Sequence, residues 1–237
     1  MHQDERPQEA LTLLASGEIE LRGRMPWSSN ATFLVEVRDG DEAMRAVYKP
    51  GRGERPLWDF PPGLYRREAA AWALSELLGW ELVPETIVRD GPLGEGSVQR
   101  FVDADFEQHY FTLLEDESLH GALRQMCAFD LVANNTDRKS GHCLVDGGRH
   151  LWGIDHGLCF HEDTKIRTVI WEFGGEAIPP DALETVDAAL PRLGDALDAF
   201  LTPEEVAATC DRGQRLLKTR RFPLADPAGR CYPWPMV

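Results

Sequence analysis

The chain of 237 residues contains no run of about 18 apolar residues, so no membrane-spanning helix is expected. It also lacks a basic excess. Forty Asp and Glu against 25 Lys and Arg leave a formal net charge of -15. A surface of that sign repels polyanions, which argues against non-specific nucleic-acid binding and against docking flat on an anionic membrane. Cysteine is sparse. Cys127, Cys143, Cys159, Cys210 and Cys231 form no CxxC pair and are odd in number, which fits reduced thiols better than a disulfide framework or a zinc site. There is no internal repeat and no low-complexity tract. The polar, acidic opening MHQDERPQEA does not read as a signal peptide, so a cytoplasmic protein without integral membrane association is expected. Hydrophobic content of 43% and charged content of 27% are ordinary for a globular protein, and the length suits one large domain or two small lobes.

The chemistry is concentrated in residues 129–160, FDLVANNTDRKSGHCLVDGGRHLWGIDHGLCF. Two short apolar runs, 143–145 and 151–154, flank the turn Asp146-Gly147-Gly148, where glycine tolerates positive φ. The hairpin brings Asp137, just before its first strand, and Asp155, just after its second, to the same end of one small sheet. Two carboxylates held this way suit a divalent cation and a phosphoryl group.

Upstream, strands are expected over residues 18–21, 31–37 and 43–48, and residues 11–14 read equally as helix or strand. The first ten residues are expected to fray. The small-residue loop between the first two strands places Ser28, Ser29 and Asn30 where their side chains and nearby backbone N–H groups could donate to ATP phosphates; an ordinary hairpin turn is the competing reading. The third strand ends in Lys49-Pro50. A Gly- and Pro-rich loop at 51–63 is long enough to act as a lid or substrate rim. A helix over 64–78, stopped by Gly79, carries Glu68 near its start. Strands over 83–88 and 97–102 lead to a segment near 100–103. Asp130 lies on the apolar stripe of a helix over 118–133, so it needs partners and is expected to prop the loop that follows. Lys165 and Arg167, positive charges in an otherwise acidic chain, read equally as a local attraction for a negatively charged substrate and as a solvated strand edge. Helices beginning at Pro180 and Pro203 follow. Arg212, Arg215, Lys218, Arg220 and Arg221 read first as a solvated helix face, and the Pro-rich tail from Tyr232 is expected to extend along the surface.

The motifs Asn135-Thr136-Asp137-Arg138 and Ile154-Asp155-His156-Gly157 resemble those of the phosphatidylinositol 3/4-kinase superfamily. Its type II phosphatidylinositol 4-kinase-like branch and HipA-type relatives are the nearest in pattern, with an actinobacterial family of this type as the closer match. The resemblance spans roughly residues 19–171 and implies an α+β, two-lobed atypical protein-kinase-like fold. A small antiparallel-sheet N-lobe would occupy residues 1–102 and a mainly helical C-lobe residues 103–237. It implies an ATP-dependent phosphotransferase in which Lys49, paired with Glu68, contacts the α/β-phosphates and backbone groups near 100–103 contact adenine. Asp137 would orient the acceptor hydroxyl, Arg138 would neutralise phosphate charge or pair with Asp137, and Asp155 would hold Mg2+ or Mn2+. The relatives place Asn, a ligand for a second metal, where this chain has His142; imidazole suits manganese better than magnesium. An ATP-binding pseudokinase scaffold and an AMP-transferring enzyme are the alternatives. The acceptor, whether lipid, small molecule or protein, is left open.

Overall fold

The computed structural model describes residues 5–26, 28, 30–227 and 229–236, without the side chains of residues 5–7. Period-two alternation builds its first layer. In β1 (Glu18–Arg24), β2 (Phe33–Asp39) and β3 (Glu42–Pro50) successive side chains face opposite ways. Val35, Val37, Ala46 and Tyr48 therefore share one fully buried face, and alternation turns Lys49 to the other. The strands β4 (Thr86–Gly91) and β5 (Gly94–Arg100) complete an antiparallel sheet in the order β1-β2-β3-β5-β4.

Helix α1 (Glu5–Ser16) covers the apolar face of this sheet with Leu13 and Leu14. Residues 5–10, expected to fray, are helical, because the two leucines have an apolar face to bury and carry the preceding turns with them. Strand β1 also runs past Leu21 to Arg24, with an irregular register between Leu21 and Gly23, so the loop before β2 is shorter than expected.

Helix α2 (Leu64–Leu78) follows Gly63 and ends at Gly79, whose φ of 60° is the left-handed stop that glycine allows. Beyond it lie α3 (Tyr110–Leu113), α4 (His120–Ala133), the hairpin β6 (Cys143–Val145) and β7 (Leu151–Gly153), then α5 (Pro180–Ala189), α6 (Leu193–Leu197) and α7 (Pro203–Thr219). Both Pro-led helix starts are present, and Thr202 and Glu205 cap α7 reciprocally.

The molecule has two apolar cores. The smaller lies between α1 and the sheet. The larger joins α4, the hairpin and the C-terminal helices, and it includes Ala70, Ala71, Leu74 and Leu78 of α2. Helix α2 lies within the segment read as the small lobe, yet its apolar stripe belongs to the large core. A buried ion pair between Arg67 of α2 and Glu205 of α7 reinforces that attachment. The result is the expected two-lobed α+β architecture.

The basic run on α7 is not one solvated face. Arg212 shares a stripe with Thr209 and Leu216 and is buried, donating to the carbonyls of Val132 (2.8 Å) and His161 (3.1 Å). The C-terminal tail is tied down: the carbonyl of Cys231 accepts from Thr168 N (3.0 Å) and Trp171 Nε1 (3.1 Å), and that of Met236 accepts from Ser140 N (2.8 Å).

Leu74 is fully buried in the large core. Leu74→Ala is expected to lower unfolding free energy by about 2–5 kcal/mol, measured by urea titration. The loss should fall in the main cooperative transition and not in an early one confined to the sheet.

Candidate active site

Helix α4 ends at Ala133, and Asn134 turns the chain out with a φ of 53°. Its side chain then holds the segment that runs alongside, donating to the carbonyls of His161 (2.9 Å) and Asp163 (2.7 Å) and accepting from Lys165 N (2.9 Å). Asp130, one turn back, accepts from Asn135 Nδ2 at 3.0 Å and from Arg138 at 2.8 and 2.9 Å. The acid thus props the loop, as its place on a buried stripe required.

Arg138 differs from expectation. It is completely buried, and none of its N–H groups faces the cleft. Nε and Nη2 grip Asp130; Nη1 donates to the carbonyls of His142 (3.2 Å) and Ile154 (3.1 Å); Nη2 also reaches His156 Nε2 at 2.8 Å. These contacts use all five donors of the guanidinium, so it can neither neutralise a phosphate nor pair with Asp137. It ties the start of the hairpin to its end. His156 is buried against it, and burial drives its pKa well below the ordinary value, leaving a neutral ring that accepts from Arg138.

Asp155 leaves β7 with a φ of 60°, a left-handed conformation that Asp tolerates better than most residues. Its Oδ1 lies 2.8 Å from Lys49 Nζ, which also contacts Glu68. Glu68 in turn accepts from the backbone N–H of His156 (2.9 Å) and Gly157 (3.1 Å). A Cβ at Gly157 would sit 3.3 Å from the Glu68 carboxylate, so glycine permits this close approach. Lys49 pulls the Asp155 carboxyl far below the usual range against the opposing effect of burial. Burial alone would lower the Lys49 pKa, but Asp155 and Glu68 more than reverse it. One side of Asp155 stays open, its side chain 50% exposed.

Asp137 lines the same cavity, about 260 Å³, as Lys49, Glu68 and Asp155. Burial raises its pKa to about 6, against the pull of Lys139 and Arg167. Lys139 Nζ is 3.2 Å from Asp137 Oδ2. Sequence reasoning missed Lys139; its place two residues after Asp137 in the loop was the available signal. His142 Nε2 lies 3.4 Å from Asp155 Oδ2, and burial lowers its pKa to about 4, so the ring is neutral at physiological pH. Its Nδ1 faces the backbone N–H of Lys139 at 3.4 Å.

Ser28 and Asn30 line the cavity, while Ser29 lies outside the described residues. Both side chains have local partners: Ser28 Oγ bonds Thr32 Oγ1 at 2.7 Å, and Asn30 Oδ1 accepts from Arg55 N at 3.0 Å. Asn30 thereby fastens the 51–63 loop, which supplies Glu54, Arg55 and Leu57 to the cavity wall. Lys165 is likewise committed, to Asp59 O (3.2 Å) and His161 Nε2 (3.0 Å).

The donor set fits one oxygen-loving cation. Asp155 is ionised and half open. Among the described residues no three His, Cys, Asp or Glu side chains form a ready ion cage, and Mg2+ commonly takes one or two carboxylates plus substrate phosphates.

The fold is kinase-like. The Helicobacter pylori proinflammatory kinase CtkA superposes with a TM-score of 0.57 at 12% identity, covering 87% of this chain and 93% of that one. Hydra Fam20, solved with sugar, gives 0.56 at 13%, covering 92% and 90%. No family model matches the sequence. The chain belongs to the family of Protein Rv2133c of Mycobacterium tuberculosis (strain ATCC 25618 / H37Rv), to which it is 40% identical over 264 aligned positions, 94% of each chain.

Breaking the buried pair should be costly. Arg138→Ala leaves the buried Asp130 without its counter-charge and is expected to cost about 3–5 kcal/mol, seen as a fall in unfolding midpoint. A variant of unchanged stability would contradict the anchoring role.

Proposed function

We propose that this chain is an ATP-dependent phosphotransferase of the phosphatidylinositol 3/4-kinase-like type, acting in the cytoplasm on an acceptor hydroxyl. The observation that carries this reading is the convergence of Lys49, Glu68 and Asp155 in one ion-paired group, with Asp137 on the wall of the same cavity. Among the described residues no helix is long and apolar enough to cross a membrane.

In this mechanism Lys49, held by Glu68, contacts the α/β-phosphates of ATP, and the loop at 28–30 borders them. Asp155 holds Mg2+ or Mn2+, which supplies charge neutralisation on the phosphates when bound. His142 supports that position: with its Nδ1 turned to the Lys139 N–H, the Nε2 proton faces Asp155, so the neutral ring steadies the carboxylate. Asp137 accepts the proton of the acceptor hydroxyl as the oxygen attacks the γ-phosphorus and ADP leaves. Lys139 lies beside Asp137 and balances charge on the transferred group.

Purified protein should therefore turn over ATP with magnesium or manganese, and Asp155→Ala should lower the rate by about 10²- to 10³-fold or more. Nucleotide binding without turnover in either metal would replace this reading with a pseudokinase scaffold. A gain of AMP on the acceptor, detected by mass spectrometry, would replace it with nucleotidyl transfer.

Asp137 works as a base only when ionised, and its pKa is raised to about 6. Turnover is expected to climb as pH rises through about 6 and then level off. A flat profile between pH 5 and pH 8 in the wild type, read at about half-unit steps, would remove Asp137 from this role.

A further inference from the structure

Most cations around the cleft are already committed. Lys49 is paired with Glu68 and Asp155, Lys139 with Asp137, and Arg138 with Asp130. Arg167 is different. Its backbone runs beside the catalytic loop, with Arg167 N donating to Asn135 O at 3.0 Å and Arg167 O accepting from Arg138 N at 3.1 Å. The neighbouring Thr168 is buried, so alternation turns Arg167 outward, to the side of Asp137. Among the described residues its guanidinium has no hydrogen bond or ion pair. In a chain with 40 acids and 25 lysines and arginines, an arginine beside a catalytic-loop acid would ordinarily find a carboxylate. Its charge reaches Asp137 without an ion pair, and Asp163 lies 4.0 Å from His161 instead. In the wall of the cavity that Asp137 lines, the exposed Arg55 is also without a side-chain partner among the described residues.

We propose that Arg167 grips an anionic group carried by the acceptor, so that the substrate is a hydroxyl compound bearing its own phosphate or carboxylate. This rests on the phosphotransferase reading above and adds the substrate class to it. A guanidinium presents paired N–H donors to either anion and binds it by charge and geometry together. The cations that serve the transferred phosphoryl, Lys49 and Lys139, are held by carboxylates within the catalytic group. Arg167 is left over for a second anion, at the flank of Asp137 where the acceptor hydroxyl must lie. The acidic balance of the chain elsewhere makes this the place where an anion is attracted.

The test is calorimetric titration of the protein, with magnesium and a non-hydrolysable ATP analogue, against glycerol 3-phosphate, glycerate and glycerol. One or both anions should bind at least about tenfold more tightly than glycerol, and their order separates phosphate from carboxylate. Arg167→Gln should erase that preference with an unchanged melting temperature, while Arg167→Lys keeps part of it. Equal binding of anionic and neutral probes, or a glutamine variant that binds as the wild type does, overturns the proposal. Binding of the nucleotide analogue reports on the other reading separately. Analogue binding without an anion preference sinks this proposal alone. An Arg167-dependent anion site in a protein that does not bind the analogue sinks the phosphotransferase reading and leaves the anion site standing.

Discussion

The arrangement depends on one buried guanidinium. Arg138 has no exposure, and its only full counter-charge is Asp130, which is itself buried. Such a pair is costly to desolvate and stable only when every donor is satisfied. Here the remaining donors go to His142 O, Ile154 O and His156. Those atoms mark the entry and the exit of the hairpin, so satisfying the charge also closes the loop that carries Asp137 against the turn that carries Asp155. The loop that carries Asp137 and the turn that carries Asp155 are thereby set by a single side chain that is itself fully buried.

A second constraint joins the lobes. Helix α2 lends its apolar stripe to the large core, and Arg67 pairs with Glu205 on α7. The next residue, Glu68, reaches Lys49 on the sheet and the backbone N–H groups after Asp155. Consecutive positions on one helix thus point to different lobes. The position of Lys49 is tied to the larger core through Glu68 and does not depend on the sheet alone.

Part of this was legible beforehand, for identifiable reasons. The helix ending at Gly79 and the Pro-led helices rest on local rules of cap chemistry and stand where those rules put them; the hairpin also stands where expected, but its left-handed turn residue is Arg149, with a φ of 63°, and not one of the two glycines. Asp130 was legible because an acid on an apolar stripe must find partners. Arg138 was misread because adjacency in sequence places it beside Asp137, while the extended backbone sends successive side chains to opposite sides. Arg212 was misread for a similar reason: five basic residues in one segment look like one patch until the helix period sorts them.

The sequence by itself determined the pair of acids flanking a hairpin and the lysine at the end of the third strand, because each follows from short-range periodicity, turns and motif spacing; the two-lobed plan was implied by the family resemblance that those motifs carry. Only the tertiary structure decided which charges are consumed and which are left. Lys165 is spent on a neighbouring loop, Arg138 on a buried acid and Lys139 on Asp137, while the Arg167 guanidinium makes no hydrogen bond or ion pair among the described residues and acts on Asp137 only through its charge. That outcome turns on distances and burial between segments far apart in the chain, and a charge reveals its partner only when the fold has brought the two together.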